Sequence, residues 1–332
     1  MISRRSVLAL ALSVAACGPR GAFVSRPADA GRVLQPVTMV SPNGTGLTAA
    51  QIDVSLPADR APGSLAFSGP DAFGVGRADS LDRAGLLDAI GSAAPSDAPV
   101  TVFVHGYNNN PAEAVYRLAQ MAQDFGGAGP HLAFVWPSMA TALGYLADRD
   151  ASLRSRDALA DLLTLLAWSQ PRPIVLVAHS MGGFLTMETL RQMAVAEQLP
   201  RDRMAAVILI SPDVDIDLFR SQALAIGRLP QPFLITVSDQ DRILGLSARL
   251  GGRRARLGSP DDLSRLADLD VTVADLSSAG GNVADRHLSA ATSPEAIAWL
   301  RALETAPGAW QDRTGVGLLE LALPSQARSA LR

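Results

Sequence analysis

Six nearly continuous apolar runs of strand length punctuate the chain: Val100–Val104, Leu132–Val135, Ile174–Ala178, Ala206–Ile210, Phe233–Val237 and Val271–Ala274. A strand with one wet face alternates apolar and polar residues; a strand covered on both faces does not. These runs do not alternate, so they are expected to be covered on both faces. Helical patterns fill the gaps, over about 112–124, 152–168, 182–196 and 295–302. The first of these opens with Asn110, Pro111 and Glu113: a cap, a first helical residue and a capping-box partner in order. This grammar predicts an α/β domain over about residues 77–305, with a doubly wound, mainly parallel sheet flanked by helices.

The flanks read differently. Residues 33–76 mix short apolar pieces with Pro and Gly, with strands expected near Gln51–Leu56 and Ser64–Phe67 in an irregular β-rich lead-in. Residues 253–270 are Arg- and Asp-rich and are expected to form a surface loop with a short helix. Residues 306–332 form a C-terminal tail packed on or beside the domain, in which "VGLLELALP" has the pattern of a packed helix.

Residues 1–17 read "MISRRSVLALALSVAAC". Arg4 and Arg5 precede an apolar run, Val7–Ala16, that is short for a membrane-spanning helix. Val14-Ala15-Ala16-Cys17 resembles a bacterial lipobox, and "SRRSVLAL" resembles a twin-arginine export signal. Residues 1–16 are therefore expected to be a signal peptide, Cys17 the lipid attachment site, and 17–32 a loose tether. The expected location is the periplasmic side of the cell envelope, at the outer membrane. Cys17 is the single cysteine, so an internal disulfide and a Cys-rich metal site are excluded. The 29 basic residues are all Arg, and the net charge of −3 is spread along the chain, which argues against a nucleic-acid partner.

In a doubly wound sheet, chemistry gathers beyond the carboxyl ends of the strands. After the Ile174 strand comes "HSMGG", then a helical pattern. A nucleophile elbow puts a Ser on a strained strand-to-helix turn and requires small residues two before and two after it. Ala178 and Gly182 satisfy this around Ser180, with Ala replacing the usual first Gly. A nucleophilic Ser needs a base. Of four histidines, His179 adjoins the Ser, His105 reads as a structural hydrogen-bonder of its loop, and His131 begins a strand, at the end remote from the expected site. His287, after the last strand, has the position that the chain order Ser, acid, His requires. The acid to orient it is expected at Asp241 in "SDQDRILGL", with Asp239 as the alternative. Asp213 and Asp215 are a second alternative, better read as loop and helix-capping groups. The oxyanion hole is expected from the backbone N–H groups of Met181 and of Tyr107 in "HGYNNN".

Taken in order, "VTVFVHGYNNN", "FVWPS", "LVAHSMGG", "LISPDVDID" and "SDQDRILGLSARLGGRRARLG" resemble the bacterial alpha/beta hydrolases of the uncharacterised esterase/lipase-like group, over about residues 98–303. The resemblance implies an eight-stranded hydrolase core and a Ser–Asp–His triad on Ser180, Asp241 or Asp239, and His287. No phosphate-binding loop, dinucleotide fingerprint or His–Glu metal spacing is present, so neither cofactor nor metal is expected. Trp136, Met139, Leu143 and Tyr145, after the Leu132 strand, are expected to line an acyl pocket or cap, or to be core. The expected activity is serine-dependent cleavage of a small-molecule or lipid ester. Acyl transfer, thioester or peptide cleavage, or a non-catalytic envelope role, are the alternatives.

Overall fold

The computed structural model describes residues 21–44, 46–239, 255–259, 263–278, 286–305 and 317–320. Cys17 and Asp241 lie outside them. The strands are β1 (Arg32–Asn43), β2 (Gly46–Pro57), β3 (Gly74–Leu81), β4 (Val100–Val104), β5 (His131–Phe134), β6 (Ile174–His179), β7 (Met204–Ile210), β8 (Phe233–Val237), β9 (Thr272–Asp275) and β10 (Gly317–Glu320). They form one sheet in the order β10-β9-β8-β7-β6-β4-β5-β1-β2-β3. Pairing is parallel from β10 through to β1, and antiparallel for β1–β2 and β2–β3.

The helices are α1 (Arg83–Ser92), α2 (Pro111–Phe125), α3 (Tyr145–Arg154), α4 (Arg156–Ser169), α5 (Met181–Val195), α6 (Ile216–Ile226), α7 (Ser289–Thr292) and α8 (Pro294–Thr305). Residues of α1, α4, α5 and α6 share one apolar core with Val100, Val102 and Val104. Phe103 and Val177 point to the other core, with residues of α2 and α8. Burial on both faces is why the strand runs are unbroken. The α2 capping box is present, with Asn110 Oδ1 accepting from Glu113 N–H and Glu113 Oε2 accepting from Asn110 N–H. A cap of this kind is worth about 1 kcal/mol.

Four expectations change. Residues 33–76 are β-rich and carry a strand over Gln51–Leu56 as expected, but they are no separate irregular lead-in, because β1 and β2 are twelve-residue strands and β1 joins the main sheet through β5. Pro36 is tolerated in β1 because β5 pairs only with Thr38–Val40, so its missing N–H breaks no bond on that side. Ser64–Phe67 is no strand; Ala66 makes one isolated bridge to Ala72. Residues 24–26 are not a loose tether, since Val75 N–H donates to Val24 O and Arg26 N–H donates to Val75 O. In the tail, Gly317–Glu320 extends the sheet edge beside β9 instead of forming a helix. A short apolar run is ambiguous on its own, and an open sheet edge supplies the partner that decides it.

Candidate active site

Ser180 sits where the sequence predicts, between β6 and α5, and is 2% exposed. Its backbone has φ 54° and ψ −120°, a region that L side chains rarely adopt. The turn is held from below: Ser180 N–H donates to Ile210 O at 3.0 Å, and Asp213 N–H donates to Ser180 O at 3.1 Å. Close packing explains the glycines. A Cβ on Gly182 would lie 2.4 Å from Val104 O, and one on Gly106 would lie 2.7 Å from His179 Nδ1 and 3.0 Å from Ser180 Cβ. The Gly106–Tyr107 loop therefore rests directly on the serine turn. Met181 begins α5, so its N–H belongs to the positive end of that helix.

His287 lies against His179, the residue before Ser180. Its ring packs on His179, with centroids 4.7 Å apart, and its carbonyl lies 3.3 Å from His179 Nε2. His179 is buried, and burial first, then the neighbouring His287, hold its pKa well below the usual histidine value. Burial thus keeps His179 neutral.

Asp239 is exposed, and its N–H donates to Ser277 Oγ at 2.9 Å. Asp215 is the N-cap of α6 and accepts from Leu218 N–H. Asp213 lies in a loop, as expected, but is buried. Its buried carboxylate accepts from Tyr145 OH at 2.9 Å and pairs with buried Arg256 at 3.4 Å. Burial, then the charge of Asp213, push the Tyr145 hydroxyl up to about 12, so it remains a donor. Arg256 was expected on a surface loop, and buried Asp213, in the loop after β7, is what draws it in.

His105 is structural, as expected. Its Nδ1 is 2.9 Å from Gly106 O and its Nε2 3.1 Å from Trp136 O. Trp136 stacks on it at 4.7 Å and donates its indole N–H to His105 O. Trp136 is thus core, 1% exposed, whereas Met139 and Leu143 are 60% and 83% exposed. Sequence reasoning missed Asp148. This fully buried carboxylate on α3 accepts from Asn108 N–H (3.1 Å), Ser138 Oγ (2.6 Å) and Met139 N–H (2.6 Å). It staples the Tyr107–Asn108 loop to the segment after β5. A lone Asp in a helical pattern carries no sequence signal for that.

A groove of about 480 Å³ lies away from Ser180, bordered by Leu47, Leu86, Asp161, Leu165 and Trp168. Among the described residues no three His, Cys, Asp or Glu side chains cluster to hold a metal. No helix among them is long and apolar enough to cross a membrane.

The buried histidines predict an acid response. Burial lowers His105 and His131 from 6.5 to about 4. The unfolded chain takes up these protons near pH 6.5, the folded one only near pH 4. Stability therefore rises with pH across that window and is lost as pH falls through it, by on the order of 3 kcal/mol per histidine. The melting temperature should fall from pH 6.5 to 4, and His105→Gln should flatten part of that slope. A melting temperature constant over the window would contradict the assignment.

A family model described as "Alpha/beta hydrolase of unknown function (DUF900)" matches residues 90–304. Among solved structures, the chain is similar to carboxyl esterase 2 from the mycorrhizal fungus Tuber melanosporum (12% identity, 98% of this chain, 94% of that one, TM-score 0.36). It is also similar to brefeldin A esterase, a bacterial homologue of human hormone-sensitive lipase (14% identity, 90% and 82%, TM-score 0.41). Pyrococcus horikoshii acylaminoacyl peptidase matches at 14% identity, over 85% of this chain and 43% of that one, with TM-score 0.40. No curated protein matches the chain.

Proposed function

The chain belongs to the alpha/beta hydrolase family DUF900, and on that premise we propose that it is a serine hydrolase that cleaves a carboxylic ester through an acyl-enzyme. The positive φ of Ser180 carries the reading, because a buried non-glycine residue held in a costly conformation on a strand-to-helix turn, with small residues two before and two after it, has the geometry of a nucleophile elbow. His287 takes the Ser180 proton as Oγ attacks the ester carbonyl. The N–H groups of Met181 and Tyr107 hold the oxyanion. Collapse breaks the ester bond, and the leaving alkoxide takes the proton from His287. Water, deprotonated by His287, then releases the acid and frees Ser180.

The acid that orients His287 is Asp241, with Asp239 as the alternative. Asp239 and Asp241 follow the strand β8, whereas the Asp213 carboxylate is engaged with Tyr145 and Arg256. Turnover of short-chain nitrophenyl esters distinguishes them. Asp241→Asn should lower kcat about 10⁴-fold, the cost of losing the orienting carboxylate, and Asp239→Asn should leave it within about threefold of wild type. The reverse pattern would transfer the role to Asp239. We place the enzyme on the periplasmic side of the envelope, held by lipid on Cys17; the lipobox-like Val14–Cys17 supports this.

A further inference from the structure

Gly21 rests against the first turn of α2. Its N–H donates to Glu113 Oε1 at 3.2 Å and its carbonyl accepts from Asn110 Nδ2 at 2.8 Å. Asn110 is three residues from Tyr107, which supplies the oxyanion N–H in the mechanism above. Four residue steps separate Cys17 from Gly21, at most about 14 Å of extended chain. A lipid on Cys17 is therefore tied close to the mouth of the Ser180 site.

A second segment tied to the same loop is apolar and exposed. The segment after β5 is fixed to the Tyr107–Asn108 loop, through Asp148 and through Tyr107 OH donating to Ala142 O at 2.6 Å. From this segment and the start of α3, Met139, Leu143 and Leu146 are 60%, 83% and 74% exposed. Singly exposed apolar residues are ordinary, but three within eight positions of a segment tied to one loop concentrate apolar surface there. By contrast Trp168, also 81% exposed, ends the helix that leads into β6 and so lies toward the amino end of the sheet.

We infer that the rim formed by Met139, Leu143 and Leu146 rests on the bilayer that holds the Cys17 lipid, with the Ser180 site turned toward that bilayer, so that the substrate class is a membrane-resident, amphiphilic ester. The inference rests on the serine-hydrolase reading and on lipidation of Cys17. The short tether sets the orientation, and the rim supplies the second contact that one insertion point lacks.

With Cys17 occupied by lipid, an introduced cysteine is the only free thiol. Full-length lipidated protein carrying Leu143→Cys, Leu146→Cys or Trp168→Cys is labelled with a nitrobenzoxadiazole fluorophore and reconstituted into phosphatidylethanolamine–phosphatidylglycerol vesicles. The labels at 143 and 146 should shift to the blue and be quenched at least twofold by doxyl-labelled lipid, and the label at 168 should not. Labels at 143 and 146 that remain in water, a response equal at all three positions, or protein that does not partition into vesicles would overturn the inference. Hydrolysis of a soluble nitrophenyl ester by the same samples reports separately on Ser180, so quenched labels on inactive protein would overturn the hydrolase reading alone. The substrate class is read from a ratio: in Leu143→Ser/Leu146→Ser, turnover of a diacyl ester in vesicles relative to the soluble ester should fall about tenfold. An unchanged ratio would remove the membrane-resident substrate.

Discussion

Ser180→Ala should lower kcat/KM toward a short-chain nitrophenyl ester by about 10⁴-fold or more, while the melting temperature stays close to wild type. Removing a serine nucleophile costs up to about 10⁶ in kcat, and the residue left over comes from the oxyanion hole and binding. Stability is expected to hold because the turn is fixed by backbone groups, Ser180 N–H to Ile210 O and Asp213 N–H to Ser180 O, which Ala retains. Ala also retains the positive φ. Ser180→Gly should therefore melt higher than Ser180→Ala, because glycine adopts φ 54° without the roughly 1 kcal/mol or more stored there. Calorimetry of the pair checks this, and equal melting temperatures would show that the turn stores no strain.

Asp148→Asn carries the second large effect. The Asp148 carboxylate receives three hydrogen bonds with no exposure to water. An amide of the same shape cannot accept at both ends, and the N–H of Asn108 or of Met139 loses its acceptor. Each buried donor left unmet costs about 1–3 kcal/mol. The catalytic effect goes through position. Asn108, held at φ 60°, follows Tyr107, so a loop released at Asn108 misplaces the Tyr107 N–H. Loss of one oxyanion donor costs about 10²–10³ in kcat. That donor acts on charge present only in the transition state, so kcat should fall by tens to hundreds of fold with KM within about threefold of wild type. Asp148→Ala should be worse on both counts. Folded Asp148→Asn with unaltered kcat would reduce Asp148 to a stability role.

Much of the site is legible in the sequence because elbow chemistry is local. The small residues at 178 and 182, the Ser between them and the strand before it all follow from the steric demands of one turn, and the structure shows the demand at Gly182 as a carbonyl 2.4 Å from a Cβ. His287 is read as the base by elimination alone, and the structure packs its ring on His179. The parallel core strands were legible for the same reason: burial on both faces writes itself as an unbroken apolar run. What the sequence hides is long-range. Asp148 looks like any helical Asp until Asn108, forty positions earlier, is seen to need it. Arg256 looks solvated in an Arg-rich stretch until Asp213 is seen buried beside it. The β1–β2 hairpin looks irregular because Pro36, Pro42 and the glycines read as breaks, yet strand pairing tolerates them where no partner needs their N–H groups. The one long helix expected over 152–168 is two, α3 and α4, which meet at Ser155.

The central claim is that Ser180 is a nucleophile activated in place. Wild-type protein treated with a fluorophosphonate probe, digested and sequenced by mass spectrometry tests it most directly. One phosphonyl adduct is expected, on Ser180, and none in Ser180→Ala. Folded wild-type protein that takes no label, or label that persists in Ser180→Ala, would contradict it.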